Sequence, residues 1–228
     1  MAAFSPHLAI LPVEQQTLWP QLALFRTLGY VLYGGTAISL RLGHRPSVDF
    51  DFFSDRPLIQ SQLLQALPWL TQAHTIQTDP DTWSVLVSAP GLPASSAQVK
   101  VAMFGGIDVG RVGTPDETDD GVLVVASFED LLAYKVKVVL QRVEAKDYRD
   151  VAALIRAGVS LERGLAAAST LFGPSFPPSE SLRALTYFQG GNLATLSQTD
   201  RTTLHAAVGA INVGATLPQV PRMATTLW

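Results

Sequence analysis

Apolar and polar positions follow two different rhythms along this chain, and the change comes near residue 127. Before it, short apolar or alternating runs predict strands. Tyr30–Tyr33 is a brief apolar run containing Val31 and reads as a buried strand. Ser47–Phe53 alternates, and Thr82–Ser88, Gln98–Phe104 and Val122–Val125 are further strand candidates. Residues 14–28 carry a helical pattern, interrupted at Pro20 and stopped by Gly29. Ala37–Leu42 predicts a short helix ended by Gly43, and Leu58–Leu67 another closed by Pro68. Ala89–Ala97 and Gly105–Gly121 read as loops, the second with an acidic tip at Asp116–Asp120.

After residue 127 the period is helical. Ser127-Phe128-Glu129-Asp130 reads as a helix start with Ser127 as N-cap and Asp130 three residues on. Helices are expected over 128–142, 147–157, 161–171, 179–188 and 199–212, with Pro174, Pro177 and Pro178 marking a surface connection. The tail Gly214–Trp228 is expected to wrap loosely over the domain. The pattern therefore predicts an α+β core over residues 1–126 and a helical domain over 127–228.

Composition narrows the function classes. The chain has 228 residues, 47% of them hydrophobic, which is enough to bury a substantial core. Only 15% are charged and the net charge is −3, which argues against a globally basic nucleic-acid coat. With no cysteine, there are no disulfides, thiolate zinc sites or cysteine nucleophiles. The first residues lack the basic and apolar regions of a signal peptide, and no apolar run approaches the roughly 20 residues of a membrane span. A soluble, cytoplasmic protein without membrane partners is the expectation. GxSxG, HExxH and Walker A patterns are missing, so serine hydrolase, zinc protease and P-loop chemistry find no support.

The strongest chemical signal is Gly34-Gly35-Thr36 followed, after twelve intervening residues, by Asp49-Phe50-Asp51. Alternation along a strand puts both carboxylates on one face, about 7 Å apart, with Val48, Phe50 and Phe52 on the other. Paired hard oxygens suit a divalent cation such as Mg²⁺, which keeps waters and substrate phosphates in its shell. Two glycines between a strand and a helix let backbone N–H groups approach a phosphate at the positive end of the helix. Thr36 adds a hydroxyl there. Carboxylates alternating with Val48, Phe50 and Phe52 are costly to bury without a partner, which favours a functional pair over a solvated edge.

The stretch from Gly34 to Ser54, GGTAISLRLGHRPSVDFDFFS, resembles the signature of the AbiEii/AbiGii toxin family, nucleotidyltransferases of the DNA polymerase β-like superfamily. Ser127–Lys135, Gln141-Arg142 and Lys146–Asp150 are similar to the family's downstream helix pair, and Leu185–Phe188 is a weaker third block. The resemblance implies a nucleotidyltransferase fold with a mixed-sheet core. It implies an enzyme that takes an NTP with Mg²⁺, or Mn²⁺ in its place, and transfers the NMP to an acceptor such as tRNA or a protein. It implies a toxin whose partner is a cognate antitoxin. Carried onto this sequence, Asp49 and Asp51 are the metal-binding pair and Gly34, Gly35 and Thr36 the nucleotide-phosphate turn. Lys135 and Asp147 match the family's lysine and final acid. His44-Arg45 matches its His-Arg turn, so that Arg45 is expected at a phosphate or at the acids.

Charge placement is compatible with that reading. Lys135 and Arg142, seven residues apart, share a helix face, and Arg142 joins Lys135 as a phosphate-binding candidate. Three of the four lysines lie within 135–146. A positive segment of this kind steers an anionic substrate despite the negative total.

One departure stands out. Polymerase β-like enzymes usually carry a third carboxylate on a later strand, as general base. The strand over 98–104 offers Lys100, Ala102 and Phe104 on one face and Val99, Val101 and Met103 on the other, with no acid. Asp108 lies just beyond it, and Asp147 is the other acid able to take part of that role. The alternative reading is therefore a nucleotide- or RNA-binding protein of the same fold that has lost turnover; a third is a pure interaction protein docking its antitoxin through the helical half.

Overall fold

Eight short strands between Ala3 and Val125 assemble into one mixed sheet. The computed structural model describes residues 2–93, 96–212 and 216–227. Its strands are β1 (Ala3–Phe4), β2 (Val31–Tyr33), β3 (Asp49–Phe53), β4 (His74–Asp79), β5 (Thr82–Val87), β6 (Val99–Phe104), β7 (Asp116–Thr118) and β8 (Val124–Val125). The sheet order is β1-β7-β8-β2-β3-β6-β5-β4. β3 is central, antiparallel to β2 and parallel to β6. The α+β class with a mixed sheet is therefore the observed one.

The chain divides into two units. One is Met1–Gly110, Thr114–Ala126 and Thr225–Trp228; the other is Arg111–Gly113 and Ser127–Ala224. The chain passes from sheet to helices at Ala126/Ser127, with two short excursions that a contiguous division of the sequence does not contain.

In the first unit the helices are α1 (Val13–Leu18), α2 (Ala23–Thr27), α3 (Gly34–Leu42) and α4 (Gln60–Ala66). The helix expected over 14–28 is broken into α1 and α2 by a 3₁₀ turn, Trp19–Leu22, because Pro20 lacks the N–H that an α-helix needs. The helix after residue 58 is shortened to α4, and Pro68 opens a separate 3₁₀ segment, Pro68–Gln72. One sheet face is apolar: Phe50 and Phe52 are fully buried, with Phe25 stacked on Phe52 at 3.9 Å between ring centroids and Trp19 against Phe50 at 6.5 Å. Aromatic burial of this size dominates the stability of such a core.

Three strands escape the sequence pattern. β1 has two residues and pairs with β7 at one sheet edge. β7 lies inside the expected loop 105–121, where acidic residues mask it. β4 is exposed along its whole length and so lacks hydrophobic alternation. All five expected strands are trimmed at an end, two of them by two residues: β3 begins at Asp49 rather than Ser47, leaving Val48 exposed outside it, and β8 covers only Val124–Val125.

The second unit holds α5 (Phe128–Val138), α6 (Ala145–Arg156), α7 (Leu161–Phe172), α8 (Pro178–Thr186) and α9 (Gln198–Gly209). Each expected helix is present with shifted ends; the largest change is that α5 stops at Val138, four residues early. α5 packs on α6 and α7, and α9 packs on α6 and α8. Ser127 caps α5 as expected, accepting the Asp130 N–H at 3.1 Å. Asp130 in turn accepts the Val112 N–H at 2.8 Å and the Gly113 N–H at 3.1 Å, which ties Arg111–Gly113 to this unit. Burial pushes the Asp130 carboxyl above its ordinary value, against the pull of the Ser127, Val112 and Gly113 donors. Of the expected wrapping tail, Gly214 and Trp228 lie outside the described residues, while Ala224 bridges Arg111. Among the described residues no helix is long and apolar enough to cross a membrane.

Candidate functional site

Gly34 and Gly35 are not a loop between strand and helix. They are the first residues of α3, entered directly from β2 with Tyr33 as the extended N-cap residue. Gly34 has φ +74°, a conformation that a side chain disfavours. Across from it, Tyr33 is the register partner of Asp51. A Cβ on Gly34 would overlap Asp51 Oδ2, so the missing side chain is what lets that carboxylate reach the helix start. A Cβ on Gly35 would lie 2.5 Å from Arg45 Nη2 and 3.2 Å from Ser47 Oγ. The two glycines thus receive, side by side, a carboxylate and a guanidinium.

Thr36 differs in use from the expectation. It is fully buried, its hydroxyl bonds Ser47 Oγ at 2.8 Å and donates to the Asp49 carbonyl oxygen. The hydroxyl is engaged within the protein, so Thr36 ties the start of β3 to the first turn of α3 instead of offering a free donor to a ligand. Ser47 is buried in the same bond, and nothing in its spacing along the sequence marks it.

Asp49 and Asp51 occupy alternate positions of β3, both half-buried, while Phe50 between them is fully buried on the opposite face. The register with β6 places Lys100 beside Asp49 and Ala102 beside Asp51. The strand next to the acid pair therefore carries no third carboxylate, and Asp108 sits exposed in the loop after β6. Among the described residues no set of three or more His, Cys, Asp or Glu side chains converges. Two hard oxygen donors on one face of β3 fit a cation that completes its shell with water and substrate oxygens, in the manner of Mg²⁺, and do not fit an all-protein cage.

The remaining candidates lie in the second unit. Lys135 Nζ is 2.7 Å from Asp147 Oδ1 and 2.7 Å from Asp150 Oδ2, with both carboxylates wholly buried. Arg142 closes over Asp147 with Nε at 2.7 Å and Nη2 at 3.0 Å. Burial would raise the Asp147 carboxyl, but the Arg142 hydrogen bond and the Lys135 charge outweigh it and hold the group below its ordinary value. Glu144 is the N-cap of α6, and Asp147 lies in the first helical turn, where an acid is favourable. Asp150 is fully buried and is the second partner of Lys135. Its spacing of three from Asp147 on one helix was the available signal. Arg142 lies beyond the end of α5, so the shared helix face expected from the seven-residue spacing does not form; Lys135 and Arg142 meet instead at Asp147.

Two comparisons bear on these residues. The family described as "Nucleotidyl transferase AbiEii toxin, Type IV TA system" matches residues 22–176. A protein of Aquifex aeolicus (strain VF5), described only as uncharacterized, is 26% identical over 129 residues, which cover 56% of this chain and 58% of that protein. The match thus spans little more than half of either chain.

Proposed function

The chain belongs to the AbiEii nucleotidyl transferase toxin family, and we propose that it binds a nucleoside triphosphate at the start of α3 and transfers its nucleoside monophosphate to an acceptor hydroxyl. The observation that carries this reading is the meeting of Asp51 with Gly34, beside Arg45 over Gly35, within one unit. A helix N-terminus free of side chains over its first two residues presents N–H groups and the positive end of the dipole to an anion. Arg45 adds a planar cation suited to phosphate oxygens.

Asp49 and Asp51 are the residues that would hold a Mg²⁺ or Mn²⁺ ion, whose chemistry there is to neutralise the triphosphate and polarise the α-phosphorus. In the transfer, the acceptor oxygen forms a bond to the α-phosphorus. The bond from that phosphorus to the oxygen bridging the β-phosphate breaks, pyrophosphate leaves with the electron pair, and the hydroxyl proton passes to solvent or to a nearby base. The chain's residues position the triphosphate for in-line attack, which is most of what such a reaction asks of a protein. The acceptor, RNA such as tRNA or a protein side chain, and an antitoxin partner belong to this proposal through the family alone.

The test is transfer of label from each α-³²P NTP, with Mg²⁺ or Mn²⁺, to RNA and protein from the host. Asp49→Asn and Asp51→Asn should each lower transfer by about 100-fold or more with the far-UV spectrum unchanged, and EDTA should stop it. Label that still reaches acceptors in both variants defeats the assignment. Lys100 and Ala102 beside the acids favour one rival reading, nucleotide binding without turnover. Saturable NTP binding by calorimetry with no labelled product would select it.

A further inference from the structure

We infer that Lys100 is a phosphate-binding residue of this site, set beside Asp49 to take a non-bridging oxygen of the bound triphosphate. The inference rests on the reading above and deepens it. Four observations carry it. First, Asp49 and Lys100 are register partners on adjacent parallel strands, so their side chains leave the same face of the sheet as neighbours. Second, both are half-buried, and neither side chain makes a hydrogen bond or ion pair among the described residues. Opposite charges held in adjacent register without closing on each other leave each with its full capacity for a third group.

Third, the surrounding unit is acidic and short of cations. It holds five Lys and Arg residues against eleven Asp and Glu, and Lys100 is its single lysine. Arg26 is engaged by Glu117 and Arg41 by Asp116. An anion as charged as a triphosphate cannot rest on paired acids without compensating charge, and Lys100 supplies it on the same face as those acids. Fourth, Lys135, the lysine that the sequence pointed to, already neutralises two buried carboxylates. Lys100 has no such prior commitment. A lysine also explains why this strand lacks an acid: a cation at this register position serves the phosphate and excludes a second metal ion, so the site is built for one.

The experiment titrates ATP, GTP, CTP and UTP, each with Mg²⁺, into the full chain by calorimetry and carries the tightest binder to the variants. Lys100→Ala and Lys100→Gln should weaken that binding about tenfold, the loss of one charge-assisted hydrogen bond. Lys100→Arg should restore most of it. Lys100→Asp should weaken it further and, because it places a third carboxylate beside Asp49 and Asp51, should tighten Mn²⁺ binding measured without nucleotide by electron paramagnetic resonance. Asp51→Asn, run in parallel, reports on the site itself. If Asp51→Asn abolishes NTP binding while Lys100→Ala and Lys100→Gln leave it within about twofold, the inference is overturned and the functional reading stands. Unchanged Mn²⁺ binding in a folded Lys100→Asp variant overturns the placement of Lys100 beside the cation seat. If the unaltered chain binds no NTP, both fall together.

Discussion

Asp51 Oδ2 occupies the place where a side chain on Gly34 would begin. The relationship joins β3 to the first turn of α3 and makes the glycine and the acid mutually dependent. It leads directly to a prediction. Gly34→Ala meets two penalties, the left-handed backbone at φ +74° and the overlap with the carboxylate. We expect a stability loss of about 1–2 kcal/mol from the backbone alone, seen in urea unfolding. NTP binding should fall by more than that loss accounts for, because Asp51 is displaced. An alanine variant that binds NTP like the unaltered chain contradicts the geometry.

Thr36 secures the other acid through the main chain. Thr36→Val keeps the shape and removes the hydroxyl, leaving the Asp49 carbonyl and Ser47 Oγ short of a partner in a buried place. The expected cost is about 1–3 kcal/mol. Thr36→Ser, which retains the hydroxyl, should recover most of it, a comparison readable from denaturant midpoints at constant m-value.

The Lys135 network predicts stability more than chemistry. Lys135→Met removes the cation that Asp147 and Asp150 share and leaves both carboxylates buried. Breaking a buried pair by removing one partner costs about 3–5 kcal/mol. The triple variant Lys135→Met, Asp147→Asn, Asp150→Asn removes the stranded charges and should be less destabilised than Lys135→Met alone. Equal melting temperatures for the unaltered chain and Lys135→Met run against this view.

Acid should weaken the same network. The Asp147 carboxyl is held below its ordinary value of 3.8 by Arg142 and Lys135, which outweigh its burial. Its ionised form therefore adds stability that is present above the unfolded value and lost as pH falls through the folded one. Unfolding free energy should drop below about pH 4, and Asp147→Asn should flatten that part of the slope while lowering stability at neutral pH. Asp130 acts with the opposite sign: burial raises its carboxyl, so the stability it contributes is greatest at low pH and declines as pH rises through the folded value. Stability profiles of the two single asparagine variants should separate the two contributions.

Local chemistry made much of the fold legible. Ser127 and Asp130 announce the start of α5, and Tyr30–Tyr33 and Asp49–Phe53 carry the aromatic and β-branched residues of central strands. Elements whose residues lack a hydrophobic period were not legible. β4 is exposed on both faces, and β7 is acidic, so each exists because a neighbouring strand supplies hydrogen bonds. Pro20 interrupts the helical pattern over residues 14–28, but the sequence does not show that the chain bends there through a 3₁₀ joint with Trp19 and Phe25 packed against Phe50 and Phe52.

By itself the sequence determined the α+β class, the change to helices after Ala126, the shared face of Asp49 and Asp51, and the family. These follow from backbone periodicity and from residue types at fixed spacing, which are local properties. Only tertiary structure decided which groups are spent and which remain available. Strand register put Lys100 next to Asp49, and helix packing sank Asp150 beside Lys135. Pairing of this kind depends on distances between residues far apart in the chain, on which spacing along one strand or helix is silent.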